Sequence, residues 1–280
     1  MAFDRSRMTK EQRIMAAKLL AADRLPRINQ MVKPAKPRSS FYTKYVKRLI
    51  DIVISLIALI VTLPINLVIG IITYFDVGSP IFFRQERVGK DGKTFQLVKF
   101  RNMKNTCDER GELLPASQRV TKFGKFVRKT SLDELLNFWF ILKGDMSLIG
   151  PRPLVPDYYY RWNDRHKAFL AVRPGLECPP PVGSTSRTWQ DQFEENVWYA
   201  ENISFKTDLL MCWRLVKFAF NRKSAEKRAN VGKGNFMGYS EDGTAIVFEE
   251  VPESYLVEAV RLVEEEHRRR QEQSGTAAGK

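Results

Sequence analysis

Cysteine and histidine are scarce in this 280-residue chain. The three cysteines, Cys107, Cys178 and Cys212, are far apart and odd in number, and His166 and His267 are the only histidines. The cysteines exclude a disulfide-stapled fold and a paired-cysteine metal knuckle, and two histidines argue against a histidine-rich metal site. A chain with few thiols and a basic balance fits a reducing compartment. The first thirty residues contain no continuous apolar run, so we predict no secretory signal.

Acidic residues are outnumbered by basic ones. The chain has 46 Lys and Arg against 32 Asp and Glu, a net charge of +14, and the excess lies in residues 1–240, because residues 241–280 are acidic overall. Such a chain suits a polyanionic partner, either nucleic acid, an anionic bilayer surface or a phosphorylated substrate. Only the charge favours nucleic acid, since no recognition motif is present, and we predict no nucleic-acid partner.

One long apolar segment stands out. Residues 52–75 contain no charged side chain between Asp51 and Asp76. As a helix they would extend about 36 Å, enough for a hydrocarbon core of about 30 Å, so a single transmembrane helix is the simplest interpretation. However, Pro64 interrupts the midpoint, and both flanks are basic where a spanning helix should be asymmetric. We therefore predict a re-entrant membrane helix within residues 41–76, hinged at Leu63 and Pro64.

Residues 1–40 form a basic extension. Thr9 and Gln12 have capping-box spacing, and the apolar residues that follow recur at helical intervals among basic ones. Two interpretations stay open, an interfacial amphipathic helix or an ordinary surface helix. Residues 33–40 are a proline-rich basic linker.

The rest of the chain predicts an α/β protein that is mostly helical with a small β-hairpin. Residues 81–85 and 94–100 are strand-like around a glycine turn at 89–92. We predict helices over 135–142, 157–172, 192–220 and 253–273, the third with Leu209, Leu210 and Trp213 at core-like spacing. The apolar-basic stretches 120–127 and 138–140 suit either membrane-interface helices or a soluble core.

Asp133 and Glu134 are the candidate catalytic pair. The structural alternative is a capping box between Ser131 and Glu134 at the start of a helix. The functional interpretation is a phosphate-processing site beside Arg128, in which one carboxylate attacks phosphorus and its neighbour holds Mg²⁺. Arg152 lies in a loop stiffened by two prolines, so its guanidinium is well suited to bind phosphate oxygens.

Six ordered motifs carry a resemblance that covers residues 45–220. They are Lys-Arg with an Asp at 47–51, Gly-Ser-Pro-Ile-Phe-Phe-Arg-Gln-Glu-Arg-Val-Gly at 78–89, Lys-Phe-Arg-Asn-Met at 99–103, Arg-Lys-Thr-Ser-Leu-Asp-Glu-Leu at 128–135, Lys-Gly-Asp-Met-Ser-Leu-Ile-Gly-Pro-Arg-Pro-Leu at 143–154 and Arg-Pro-Gly at 173–175. The sequence resembles the bacterial sugar transferases, small monotopic phosphoglycosyl transferases that start glycan assembly on polyprenyl phosphate.

The resemblance implies a mechanism. The aspartate attacks the β-phosphate of a UDP-sugar and releases UMP, and polyprenyl (undecaprenyl) phosphate then takes the phosphosugar. By motif position Asp133 is the nucleophile, and Glu134 with Asp133 is the Mg²⁺ site. The implied substrate-binding residues are Lys99, Arg101, Arg128, Arg152, Arg187 and Asp208.

The resemblance also implies a location and a process. It places residues 77–225, the catalytic domain, on the cytoplasmic face of the bacterial inner membrane, at the first membrane step of exopolysaccharide, capsule, O-antigen or glycoprotein glycan assembly. Other glycan-assembly enzymes are candidate partners. Residues 226–280 form a C-terminal extension with an acidic helix.

The loop after Arg173-Pro174-Gly175 departs from the family pattern. The family continues Thr-Gly-Trp/Leu-Ala-Gln-Val-Asn-Gly-Arg-Asn, whereas this chain has three prolines at 179–181, and Arg187 is displaced from the position of the expected arginine. Two alternatives therefore stay open: a catalytically altered membrane-attached scaffold of a glycan-assembly complex, and a related transferase that moves a different phospho-group to a lipid.

Overall fold

The computed structural model describes residues 3–108, 113–177, 188–219 and 234–277. Within these ranges the chain is mostly helical, with three two-stranded sheets. The helices are α1 (Lys10–Met31), α2 (Lys47–Val77), α3 (Ala116–Arg119), α4 (Lys122–Thr130), α5 (Asn137–Lys143), α6 (Asp164–Lys167), α7 (Trp189–Asn202), α8 (Phe205–Ala219) and α9 (Glu253–Ala277). The strands are β1 (Phe82–Val88), β2 (Thr94–Phe100), β3 (Ser147–Ile149), β4 (Gly175–Glu177), β5 (Phe236–Tyr239) and β6 (Ala245–Val247).

Helix α2 contains the apolar segment. It follows a π-helical turn (Tyr42–Val46), continues through Pro64 and ends at Val77; the next residue, Gly78, caps it with a φ of 76° that suits glycine. Its middle is exposed on nearly every side, and its buried residues lie towards its two ends. Among the described residues it is the one helix long and apolar enough to cross a membrane. The predicted long apolar helix is confirmed; its helical assignment has no break at Leu63 and Pro64.

The beginning of α2 is fixed to the domain by charged side chains. Arg48 donates to the carbonyl oxygens of Ile141 and Leu142, each at 2.6 Å, at the end of α5. Asp51 is buried, and its Oδ1 accepts hydrogen bonds from Ser147 Oγ and the Leu148 amide, at the start of β3. Cations suit the free carbonyls at a helix C-terminus.

The end of α2 is fixed to the same domain. Arg101, just after β2, donates to the carbonyl oxygens of Val77 and Gly78. Thr121, which caps α4, hydrogen-bonds the Asp76 carboxylate. Both ends of the apolar helix therefore contact one folded unit.

The predicted β-hairpin is confirmed. Strands β1 and β2 are antiparallel, Phe82 opposite Phe100 and Val88 opposite Thr94, around a turn at Lys90–Gly92. Side chains two residues apart in a strand share a face. Leu97 packs against Phe140 of α5 in a buried cluster, and Lys99 is therefore directed to the same side of the hairpin.

The helix predicted over 157–172 is wrong. The structure has a 3₁₀ helix (Pro156–Arg161), the short α6 and a second 3₁₀ helix (Ala168–Ala171). Trp162 and Asn163 are buried and extended, and the Asn163 side chain accepts a hydrogen bond from the His166 amide as an N-cap. An asparagine in this role starts a new helix instead of continuing the old one.

The helix predicted over 192–220 is divided into α7 and α8 at residues 203–204. The core interpretation of Leu209, Leu210 and Trp213 is wrong, because all three are exposed, Trp213 by 68%. Asp208 and Met211 are buried instead. Helix α8 therefore faces the protein with Asp208 and Met211, and its exposed side carries the strip of Leu209, Leu210 and Trp213.

The two termini pack together. The predicted Thr9–Gln12 capping box is present, and α1 buries an apolar face against α9 and the β5–β6 hairpin. Leu20 and Leu256 are both fully buried in this contact. The apolar face of α1 is therefore covered by protein and is not available to a bilayer.

The packing predicts a stability effect far from the candidate catalytic pair. Replacing Leu20 by Ala should lower the free energy of unfolding by about 2–5 kcal/mol, because it leaves a cavity between α1 and α9. Thermal unfolding in detergent measures this, with exposed Lys18→Ala as the matched control on the same helix. Equal stability of both variants would show that α1 does not pack as described.

Candidate active site

The Asp133–Glu134 pair lies in a turn between two helices. Helix α4 ends at Ser131, whose φ of 56° is left-handed, and a 3₁₀ turn (Leu132–Glu134) leads into α5. An N-cap residue is extended, and the Glu134 carboxylate bonds to side chains of other segments. The capping-box interpretation is therefore wrong. The helix that follows this turn, α5, ends as predicted, and the residue after it, Gly144, is in the left-handed region.

Glu134 joins two cations from different parts of the chain. Its Oε1 accepts hydrogen bonds from Lys99 Nζ at 2.8 Å and from Arg152 Nη2 at 3.0 Å. Burial raises the pKa of Glu134, but the charges and hydrogen bonds of Arg152 and Lys99 outweigh it and lower the pKa to about 2. Glu134 is therefore a fixed anion at neutral pH.

Asp133 is 8% exposed and has the opposite character. Burial raises the pKa of its carboxyl group and the neighbouring Glu134 charge adds to this, while Lys99 and Arg128 oppose it. The two adjacent carboxylates therefore titrate apart, a feature typical of sites where each group has its own chemical task. A carboxylate held among cations suits attack on an electrophilic phosphorus.

The loop that carries Arg152 is rigid. Gly150 has no room for a side chain, because a Cβ there would lie 2.4 Å from the Arg173 carbonyl oxygen. Arg173 Nε in turn donates to the Gly144 carbonyl oxygen at 3.0 Å. The parallel pairing of β3 with β4 holds the segments on both sides of this contact, so the guanidinium of Arg152 is held beside Glu134.

Arg128 approaches Asp133 from α4. Its Nη2 donates to Asn102 Oδ1 at 2.8 Å, and its charge acts on Asp133. Gly124 lies so close to Asn102 that a Cβ would be 2.2 Å from the Asn102 carbonyl oxygen. The close packing of α4 on the segment after β2 thus brings Arg128 to the site.

Two candidate substrate-binding residues, Arg101 and Asp208, hydrogen-bond to groups other than the Asp133–Glu134 pair. Arg101 binds the carbonyl oxygens that end α2. Asp208 is buried, and its carboxylate accepts hydrogen bonds of 2.6 Å from Tyr42, Lys47 and Tyr199. The third, Arg187, lies outside the described residues.

Sequence reasoning missed Arg87 and Asn102. Arg87 Nη1 donates to the Pro153 carbonyl oxygen at 3.2 Å, and its charge is close enough to interact with Arg152 and Glu134. Both residues belong to the quoted motifs, at 78–89 and 99–103, but the basic and polar character of a motif residue does not tell which segment it faces.

The two carboxylates fit a magnesium ion that substrate completes. The described residues contain no cluster of three or more acidic, histidine or cysteine side chains. Magnesium is commonly bound by one or two carboxylates together with waters and substrate phosphates. Asp133 and Glu134 are two adjacent carboxylates of this kind, and Lys99 and Arg152 both donate to the same oxygen of Glu134, Oε1.

Comparison with known proteins defines the family. The bacterial sugar transferase family model matches residues 42–222, well over half of the chain. The chain belongs to the bacterial sugar transferase family. The match begins at the turn before α2 and includes the hairpin, the carboxylate pair and α8.

Named relatives extend the comparison. A Bacillus subtilis protein named "Uncharacterized sugar transferase EpsL" is 37% identical over 193 residues, 69% of this chain and 96% of that protein. The "Undecaprenyl-phosphate galactose phosphotransferase" of Salmonella typhimurium is 33% identical over 65% of this chain and 42% of its own length. The "UDP-N-acetylgalactosamine-undecaprenyl-phosphate N-acetylgalactosaminephosphotransferase" of Aeromonas hydrophila is 32% identical over 62% of this chain and 43% of its own length. The last two names both describe an undecaprenyl-phosphate sugar phosphotransferase, and this chain spans less than half of the length of each of those proteins.

The low pKa of Glu134 predicts a pH-dependent contribution to stability. A carboxylate whose pKa falls on folding stabilises the fold above its unfolded pKa, and this is lost as the pH falls through the folded value. Glu134 should contribute about 3 kcal/mol at pH 7, lost between pH 4.5 and about 2.

Glu134→Gln should therefore destabilise most at pH 7, and the difference from the wild type should shrink below pH 4.5. Unfolding measured across this range checks it, with the exposed Glu264→Gln as control. A difference that does not change with pH would contradict the ion-pair account.

Proposed function

We propose that the chain transfers a sugar 1-phosphate from a UDP-sugar to polyprenyl phosphate through a covalent aspartyl phosphosugar. The observation that carries the proposal is Asp133, buried between cations and adjacent to an already ionised Glu134. The relatives named for undecaprenyl-phosphate phosphotransferase activity support the class of acceptor.

Both bond-forming steps of this reaction take place at the β-phosphorus of the UDP-sugar. In the first, an Asp133 oxygen bonds to the β-phosphorus, the bond to the oxygen bridging the α-phosphate breaks, and that oxygen leaves with UMP. In the second, an oxygen of polyprenyl phosphate bonds to the same phosphorus and the Asp133 carboxylate is restored. The product is a polyprenyl-diphospho-sugar.

The basic residues divide into two groups. Lys99, Arg128 and Arg152 are close enough to the carboxylates to bind phosphate oxygens, and Glu134 keeps Lys99 and Arg152 in place. Magnesium, held by Asp133 and Glu134, would supply charge that offsets the phosphates. Arg101 has contacts that favour a positioning role at the end of α2.

A re-entrant α2 completes the proposal. A spanning helix leaves the bilayer on opposite sides, but both ends of α2 are bound to the same domain. Pro64 removes a backbone hydrogen bond at the midpoint, which favours the bend that a return within one leaflet needs, although the helix is continuous there. This puts the site at the headgroup level of the cytoplasmic face, where both the acceptor phosphate and a soluble nucleotide-sugar are accessible.

Helix α8 supports the same placement. Phe205, Leu209 and Trp213 are exposed along one side of α8, and the Phe205 ring lies 6.0 Å from that of Tyr42, just before α2. Phe41 and Tyr45 in the same region are also exposed. Aromatic residues in this setting are typical of a membrane interface.

The nucleophile has a direct test. With radiolabelled UDP-sugars, Asp133→Asn should lower UMP release at least about 10³-fold and abolish the labelled enzyme, because no carboxylate remains to form the bond. Glu134→Gln should slow the reaction about 10²-fold through loss of the fixed anion. Mass spectrometry locates the labelled residue, and exposed Asp157→Asn is the control. An Asp133→Asn enzyme that retains full turnover would contradict the mechanism; loss of turnover with an intact pathway in cells would favour the scaffold alternative.

The topology has a separate test. In a chain without native cysteines, Ser39→Cys and Lys90→Cys place exposed thiols before and after α2. Both should react with a membrane-impermeant maleimide from the cytoplasmic side only, whereas Leu63→Cys should be protected in the bilayer. Labelling of the two flanks from opposite sides would show that α2 spans the membrane.

A further inference from the structure

Glu134 is bonded to two cations that a phosphate ligand would use. Lys99 Nζ and Arg152 Nη2 both donate to its Oε1, at 2.8 Å and 3.0 Å. Lys99 comes from β2 and Arg152 from the 150–155 loop, so this carboxylate joins two separate segments. The Lys99, Glu134 and Arg152 side chains are 21%, 24% and 48% exposed, so a ligand from solvent can reach them.

These contacts oppose the binding of a phosphorylated donor. A phosphate that takes Lys99 and Arg152 leaves the Glu134 carboxylate without two of its hydrogen-bond donors in a partly buried place. Removing the partners of such a charge is strongly destabilising. A divalent cation at Glu134 would offset this cost, because carboxylates and phosphates are both ligands that magnesium accepts. The arrangement therefore favours binding of the donor and the cation together over binding of either one alone.

The charges of the cluster lead to the same conclusion. Three cations face the two adjacent carboxylates, which leaves a small excess of positive charge; the cations are Lys99, Arg128 and Arg152. The diphosphate of a sugar nucleotide would turn this excess negative, and a divalent cation would restore it. Since unbalanced charge is unfavourable where burial limits solvation, neither ligand alone suits the site.

We propose that Glu134 keeps Lys99 and Arg152 from binding the donor until a divalent cation replaces them on its carboxylate. The proposal rests on the proposed function, because that function supplies the diphosphate donor. Binding of the donor and binding of the cation are then coupled, and such coupling is reciprocal. The ion cluster that stabilises the free protein thus also disfavours occupation of the site by a donor without metal.

Nucleotide binding without metal tests this directly. In EDTA, Glu134→Gln should bind UDP at least about 10-fold more tightly than the wild type, because a neutral amide releases Lys99 and Arg152 for the phosphates. Asp133→Asn is the matched control, since it removes the adjacent carboxylate and leaves both cations bonded to Glu134. Its gain should stay below about 3-fold, within the range of a weak coupling. Isothermal titration calorimetry of the full chain in detergent measures both affinities.

Metal binding without nucleotide is tested with a second pair of variants. With Mn²⁺ as the probe, Lys99→Met should bind the ion at least about 5-fold more tightly than the wild type, because one cation no longer competes for Glu134. Arg128→Met also removes a positive charge from the site, but Arg128 bonds to Asn102. Its gain should stay below about 2-fold, as expected of charge alone near the surface. Electron paramagnetic resonance of free Mn²⁺ measures the affinities.

Two results would overturn the proposal. If Glu134→Gln binds UDP in EDTA no more tightly than the wild type, Glu134 does not keep the cations from the phosphates. If Glu134→Gln and Asp133→Asn gain equally, loss of either negative charge is enough and the hydrogen bonds to Glu134 are irrelevant. Thermal unfolding checks that each variant is folded. If Glu134→Gln is not, the Mn²⁺ comparison decides, and equal gains of Lys99→Met and Arg128→Met reject the proposal.

The two proposals fail in different ways, because neither binding experiment requires turnover. If the wild type forms no labelled enzyme from any UDP-sugar, the covalent mechanism fails, whatever the affinities for UDP and Mn²⁺ are. If labelled enzyme forms and Glu134→Gln gains no affinity for UDP, the coupling through Glu134 fails and the covalent mechanism stands.

Discussion

The structure depends on keeping two adjacent carboxylates in a partly buried place. Two such anions repel, and burial penalises each charge, so neither is stable there without compensation. Lys99 from β2 and Arg152 from the 150–155 loop meet on Glu134 and stabilise its charge. Asp133 is left with a raised pKa next to it. A single ion cluster thus joins the hairpin, the loop and the turn. It also moves the pKa values of the neighbouring Asp133 and Glu134 in opposite directions.

Charged side chains also hold α2 against the domain. Lys47 and Asp208 form a buried ion pair at 2.6 Å near the start of α2, and Arg101 binds the carbonyl oxygens at its end. Removing one partner of a buried pair leaves an uncompensated charge, so such contacts are specific even where they add little net stability. They hold both ends of α2 against the domain that carries the Leu132–Glu134 turn. Under the proposed function, this attachment would keep the turn at a constant depth relative to the bilayer.

The sequence predicted elements whose signals are local. The hairpin turn, the α1 capping box, the glycine after α5 and the long apolar helix all lie where short patterns put them. It failed where tertiary contacts decide. The strip of Leu209, Leu210 and Trp213 has the spacing of a core face, but Asp208 is buried by partners far along the chain and turns that strip outward. Motif residues predicted the candidate site, yet only the fold distinguishes Arg152, bound to Glu134, from Arg101, bound to backbone.

The terminal segments outside the family match also bear on the site. Ile28 of α1 belongs to the same buried apolar cluster as Val88 and Leu154, and the Val88 amide donates to the Leu154 carbonyl oxygen at 2.9 Å. Leu154 is two residues after Arg152. The β5 strand is also joined to the rest of the protein by His166, which lies between the Tyr239 hydroxyl group at 2.7 Å and the Glu194 carboxylate at 3.0 Å. Since the packing that supports the Arg152 loop includes residues from the terminal segments, these segments are part of the structure that positions the site.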